Sequence, residues 1–107
     1  MIQISILYPN NGKFDMDYYL NTHMPLSIKR LSAGQGYRGV SVERGLSGAQ
    51  PGAAPGFVAL CHYLFDSVEA FMAAFLPHAA ELKDDMPNYT GIEPVIQFSE
   101  VAISRQG

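Results

Sequence analysis

Apolar and polar positions alternate from Ile2 to Tyr8, with Ile2, Ile4 and Ile6 on one side and Gln3, Ser5 and Leu7 on the other. A period of two is the signature of a strand. Pro9-Asn10-Asn11-Gly12 is a turn cluster. Asp15 then stands where a helix N-cap belongs, and Phe14 with Tyr19 suits the apolar staple that brackets such a start. The helical pattern runs to about His23. Pro25 removes a donor and disfavours helical geometry at Met24, so a break is expected there. Leu26 to Leu31 resumes as a short second turn or helix, ended by Gly34.

Alternation returns from Tyr37 to Arg44, a second strand. Gly45 to Gly56 holds four glycines and two prolines in twelve residues, and is expected to be a mobile hairpin connection outside the core. Phe57 to Phe65, "FVALCHYLF", is almost wholly apolar and forms the third strand. Asp66-Ser67-Val68-Glu69 is a capping signal, followed by Val68, Phe71, Met72 and Phe75 at helical spacing. Pro77 interrupts, His78 to Met86 carries on, and Pro87 stops it. Ile92 to Ser104 supplies the fourth strand. The order β-α-β-β-α-β predicts an α+β, ferredoxin-like domain over residues 1–107, a four-stranded antiparallel sheet with its helices on one face.

The third strand is apolar on both sides. Phe57, Ala59, Cys61, Tyr63 and Phe65 share one side; Val58, Leu60 and Leu64 share the other with His62. Helices cover only one face, and each large side chain left wet on the other forgoes roughly 1.5–3 kcal/mol. A second copy packed sheet to sheet resolves this, which predicts a homodimer of the dimeric α+β barrel kind.

Composition adds to this. The chain is 48% hydrophobic and 16% charged, an apolar balance that favours a partner subunit. Net charge is −3, and the seven basic residues are scattered, with Lys29-Arg30 the one adjacent pair. Nucleic-acid binding needs a clustered basic face, so it is not expected. No apolar run reaches the roughly 18 residues of a membrane span. The N-terminus lacks the basic region of a signal peptide, and a single cysteine excludes an intrachain disulfide, so a cytoplasmic protein is expected.

"GQGYRG", Gly34 to Gly39, has the letters of a dinucleotide fingerprint, but it follows a helix and opens a strand, the reverse of what pyrophosphate binding needs. His23, His62 and His78 have no metal-ligand spacing, so neither metal nor cofactor is expected. Cys61 reads as a small core residue, His62 as a hydrogen-bonded histidine on the dimer face, His78 as exposed. The Asp84-Asp85 pair reads as a solvated edge with no acid/base signal. His23 is different. Met16, Leu20 and His23 follow i, i+4, i+7 on the face that meets the sheet, just before Pro25. A break there opens room between helix and sheet, and an imidazole beside a cavity exchanges protons near neutral pH. Tyr19 on the same helix and Tyr8, Tyr37 and Tyr63 on strands supply hydroxyls to hold a substrate. A ring on a cavity wall also predicts that His23→Ala costs little stability.

"DMDYYLNTHMPL" (Asp15 to Leu26), with its acidic start, tandem aromatics and H-x-P-L ending, resembles the EthD family of the dimeric α+β barrel superfamily. "YLFDSVEAF" (Tyr63 to Phe71) and "PVIQFSEV" (Pro94 to Val101) resemble the family's third strand with second helix and its last strand. The resemblance implies a dimer with a pocket between helices and sheet, and a role with a small hydrophobic metabolite or xenobiotic, the family being linked by name to ethyl tert-butyl ether degradation. His23 is the polar residue carried over from the motif. Haem degradation is not expected, since the chain has no tryptophan. Two functional readings stay open, beside the plain one in which His23 is a hydrogen-bonded core residue with no cavity next to it. In one, His23 is the general acid/base of an enzyme. In the other, the same pocket belongs to a non-catalytic accessory or binding protein of a degradation pathway.

Overall fold

The structure, a computed structural model, describes residues 1–107. Its strands are β1 (Ile2–Pro9), β2 (Tyr37–Arg44), β3 (Phe57–Phe65) and β4 (Val95–Glu100), joined in one four-stranded sheet of order β2-β3-β1-β4. All pairings are antiparallel. Each β-α-β half therefore has a strand of the other half between its own two, the split arrangement of ferredoxin-like folds. The register places Ile4 opposite Tyr63 and Phe98, and Ile6 opposite Cys61 and Ile96. Residues directly opposite one another share a face. The face carrying Ile4, Tyr8, Ala59, Cys61, Tyr63 and Phe65 is the buried one, packed with Leu31, Phe71 and Leu82 from the helices.

The fourth strand is shorter at both ends than the alternation suggests. Ile92 is buried in the core, its N–H bonded to Thr90 Oγ1, and Pro94 has no N–H to give a ladder. At the other end the Val101 N–H reaches the carbonyl of Met1, where β1 runs out of residues to pair.

The first helix, α1, is built from an α-helical turn Met16–Tyr18, a π-helical segment Tyr19–His23 and an α-helical run Met24–Ser32. Asp15 caps it, accepting the Tyr18 N–H at 3.1 Å, and the Phe14 and Tyr19 rings meet edge-on at 4.9 Å. The expected break at Pro25 does not occur. The Met24 N–H bonds to the Tyr19 carbonyl, five residues back, so the extra length is taken up in a wide turn. Pro25 then opens the next α-helical run, where an N–H is least missed. Ser67 caps α2 (Val68–Phe75) through the Ala70 N–H, a 3₁₀ turn at Leu76–His78 carries Pro77, and α3 (Ala79–Asp85) follows. No helix is long and apolar enough to cross a membrane.

Gly34 and Gly36 serve packing and turning. A Cβ at Gly34 would lie 2.5 Å from the Ala74 Cβ, and Gly36 has φ +85°. No residue of Gly45–Gly56 is buried, and the segment folds on itself through the Gly48 N–H to the Ala53 carbonyl. His78 is half-buried rather than exposed.

The second face of the sheet has no helix on it. Leu7, Val58, Leu60 and Leu64 lie there half-buried. A polar row, Ser41, His62, Ser5 and Gln97, crosses all the strands among them. His62 Nδ1 lies 3.0 Å from Ser5 Oγ and 3.2 Å from Gln3 Nε2, and Nε2 lies 3.4 Å from Glu43 Oε1.

Candidate functional site

A cavity of about 400 Å³ lies between the sheet and the helices, lined by 15 residues of which ten are hydrophobic. That is the size and character of a small-molecule site. Its apolar wall includes Ile6, Leu31, Phe71, Phe75 and Leu82; its polar points are Tyr8, His23, Ser27 and Tyr63 inside, with the exposed Lys83 and Glu93 at the surface.

His23 is buried, 7% exposed, and both ring nitrogens are engaged. Nδ1 lies 2.9 Å from Asp85 Oδ2, and Nε2 lies 3.2 Å from the Tyr89 hydroxyl. The Tyr89 hydroxyl in turn lies 2.7 Å from that of Tyr8. The chain Asp85–His23–Tyr89–Tyr8 therefore starts at a carboxylate and ends at a phenol on the cavity wall. Asp85 is not the solvated edge that its place beside Asp84 suggested. Its carboxylate also accepts from the Tyr18 hydroxyl at 2.6 Å and from Asn88 Nδ2 at 3.0 Å.

Burial pushes the Asp85 carboxyl up, but the hydrogen bonds from Tyr18, Asn88 and His23 outweigh it, and the net shift is below the ordinary carboxylate value. Asp85 is thus ionised at neutral pH and must accept from His23 Nδ1–H. With the ring neutral, Nε2 accepts from the Tyr89 O–H, and the Tyr89 oxygen accepts from the Tyr8 O–H. With the ring protonated, Nε2–H donates and the chain reverses. Burial raises the pKa of Tyr8 and of Tyr89, so both stay protonated at neutral pH. Both imidazole nitrogens of His23 are occupied, and the chain ends at the Tyr8 hydroxyl.

Of the hydroxyls predicted from sequence, Tyr8 and Tyr63 line the cavity with His23. Tyr63 pairs with Ser27 Oγ at 2.7 Å. Tyr19 and Tyr37 do not reach it. Tyr19 is 1% exposed and stacks on the back of His23 at 6.0 Å, its own hydroxyl without a partner. Tyr37 packs edge-on to Phe65 at 5.8 Å, on the β2 side of the sheet. Asp85, Tyr89, Tyr18 and Ser27 were not anticipated. The signal for two of them was present: Leu82, Asp85, Met86 and Tyr89 follow i, i+3, i+4, i+7, an inward helical face containing an acid and a phenol. Cys61 is buried, its thiol pushed up to about 12 first by burial, and has no reactive character. No group of three or more His, Cys, Asp or Glu side chains converges to hold a metal.

The EthD domain model matches residues 13–93, a span that contains α1, most of the cavity lining and every member of the chain from Asp85 to Tyr8 except Tyr8 itself. An EthD-like protein from Ralstonia eutropha JMP134 is 43% identical and superposes with a TM-score of 0.89, over 97% of this chain and 94% of that one. An ethyl tert-butyl ether (EthD) family protein from Bacillus halodurans C-125 is 25% identical with a TM-score of 0.69, over 94% and 97%. No curated protein matches the chain.

Proposed function

Since the chain belongs to the EthD family, we propose that it binds a small hydrophobic metabolite or xenobiotic in the cavity between helices and sheet and converts it by histidine-assisted proton transfer. The observation that carries this reading is the hydrogen-bonded chain from Asp85 through His23 and Tyr89 to Tyr8, which ends on the wall of an otherwise apolar cavity. A ligand proton passes to the Tyr8 oxygen as the Tyr8 proton moves to Tyr89 and the Tyr89 proton to His23 Nε2. The resulting imidazolium faces the Asp85 carboxylate, which stabilises it. A positioned acid/base group of this type contributes on the order of 10²–10⁴-fold.

The working unit in this proposal is a cytoplasmic homodimer formed through the uncovered sheet face. The half-buried Leu60 and Leu64 among polar neighbours support it.

The test is a thermal-shift screen of small apolar compounds bearing carbonyl or hydroxyl groups, followed by turnover assays on those that bind. Conversion by the wild type and its loss in Tyr8→Phe is the expected result. Tight binding with no conversion of any ligand would favour the accessory, non-catalytic reading instead.

A further inference from the structure

Ser27 and Tyr63 form a second polar point in the cavity, with chemistry opposite to that of Tyr8. Both are buried, 6% and 1% exposed. Their hydroxyls lie 2.7 Å apart and have no other hydrogen-bond partner in the protein. Two hydroxyls carry two hydrogens, and one bond between them uses one. The other is left over, on a wall otherwise made by Leu31, Phe71 and Phe75. An unsatisfied donor in such surroundings is costly, and calls for an acceptor. At the Tyr8 end the count is reversed. With the ring neutral, every hydrogen of the chain points toward Asp85, and the Tyr8 oxygen faces the cavity as an acceptor. His23 and Ser27 are one turn apart on α1, about 6 Å along its axis, within reach of one small molecule.

We propose that Ser27–Tyr63 is the donor station for a carbonyl oxygen, and that the cavity takes an apolar enolisable carbonyl compound whose acidic C–H faces Tyr8. This rests on the cavity being a ligand site, as argued above. The C–H bond breaks and its proton goes to the Tyr8 oxygen and down the chain to His23. The electron pair left behind forms the C=C bond of the enolate, and the negative charge gathers on oxygen, against the spare hydrogen of Ser27–Tyr63. Return of the proton gives back the compound or an isomer, so no oxidant or co-reactant is needed. Burial raises the Tyr63 pKa, which keeps the pair a donor throughout the neutral range. A donor fixed where an oxyanion develops is worth more against an apolar wall than in water.

The probe pair is 2-tetralone, an enolisable ketone, and tetralin, the same skeleton without oxygen. Binding is read by calorimetry and deuterium exchange at the acidic carbon by proton NMR in D₂O. The wild type is expected to prefer the ketone by about 10-fold and to catalyse exchange. Either single variant leaves one hydroxyl whose hydrogen is free to donate, so the double variant Ser27→Ala/Tyr63→Phe, checked for cooperative unfolding, should lose that preference and slow exchange by on the order of 10²-fold. Tyr8→Phe should abolish exchange yet keep the preference. Equal binding of the two probes to the wild type, no binding of the ketone at millimolar concentration, or a preference that survives in the double variant would overturn the proposal. Exchange that persists in Tyr8→Phe while the preference follows Ser27 and Tyr63 would count against the proton chain alone and leave the donor station standing.

Discussion

His23 Nδ1 and Asp85 Oδ2 lie 2.9 Å apart although 62 residues separate them in the chain. The pair joins the first β-α-β half of the fold to the second at the wall of the cavity. It also decides which imidazole nitrogen carries the proton. Asp85→Asn should let the amide N–H₂ donate to Nδ1 and move the ring hydrogen to Nε2, against Tyr89. The expected outcome is a tautomer change in the ¹⁵N spectrum of His23, with any proton-transfer activity reduced on the order of 10²–10⁴-fold and the fold retained. An unchanged tautomer would show that Asp85 does not orient the ring.

The same carboxylate makes stability depend on acid. Its folded-state pKa lies below the ordinary 3.8. A depressed carboxylate stabilises the folded chain fully above its ordinary value, and that contribution is lost as pH falls through the lower, folded value. Urea unfolding of wild type and Asp85→Asn should therefore give a clear difference just above the ordinary carboxylate range. Below it the difference should shrink. A difference independent of pH would remove the ionised carboxylate from the account.

Tyr8→Phe is the cleanest variant of the chain. It removes one hydroxyl without changing ring packing, and should cost only about 1 kcal/mol of stability while cutting the link to the cavity. His23→Ala is a poorer probe than the sequence suggested. The ring sits on the cavity wall, but both nitrogens are bonded, so its loss takes one hydrogen bond from the Asp85 carboxylate, which keeps Tyr18 and Asn88, and one from the Tyr89 hydroxyl, which keeps Tyr8. A cost on the order of 2–4 kcal/mol is expected from the two lost bonds, one of them to a charged group. Chemical denaturation of the two variants side by side checks the ranking.

The order of strands and helices, both caps and the Phe14–Tyr19 contact were legible because each depends on residues close in sequence. The cavity and its histidine were half legible: a ring before a proline pointed to the right place for a partly wrong reason. Pro25 does not break α1; the π-helical turn before it takes up the strain. Asp85 and Tyr89 were missed because a contact between His23 and the end of α3 is a property of the closed fold. Asp84 beside Asp85 made the pair look like a solvated edge, although only the first of the two is exposed. Tyr19 and Tyr37 illustrate the opposite error. A tyrosine on the right face has a hydroxyl, but the position along the strand or helix decides whether that hydroxyl meets the cavity.

The uncovered sheet face yields a prediction on assembly. Light scattering should give twice the chain mass at micromolar concentration, and Leu60→Asp should dissociate the dimer or unfold it, because a buried, unpaired carboxylate is unfavourable. A wild-type monomer under those conditions would sink the dimer.

The π-helical turn at Tyr19–His23 makes the site depend on a count of residues as much as on their identity. The buried column Tyr19, His23, Ser27 and Leu31 advances in steps of four. In an uninterrupted α-helix three such steps wander by about 120°, and the wide turn takes part of that back. One residue fewer there would leave every side chain of the site in the sequence and turn Ser27 and Leu31 to a different compass bearing by about 100°. Deleting the exposed Asn21 should therefore give a folded protein with a regular helix and an empty register: all of the letters, none of the site.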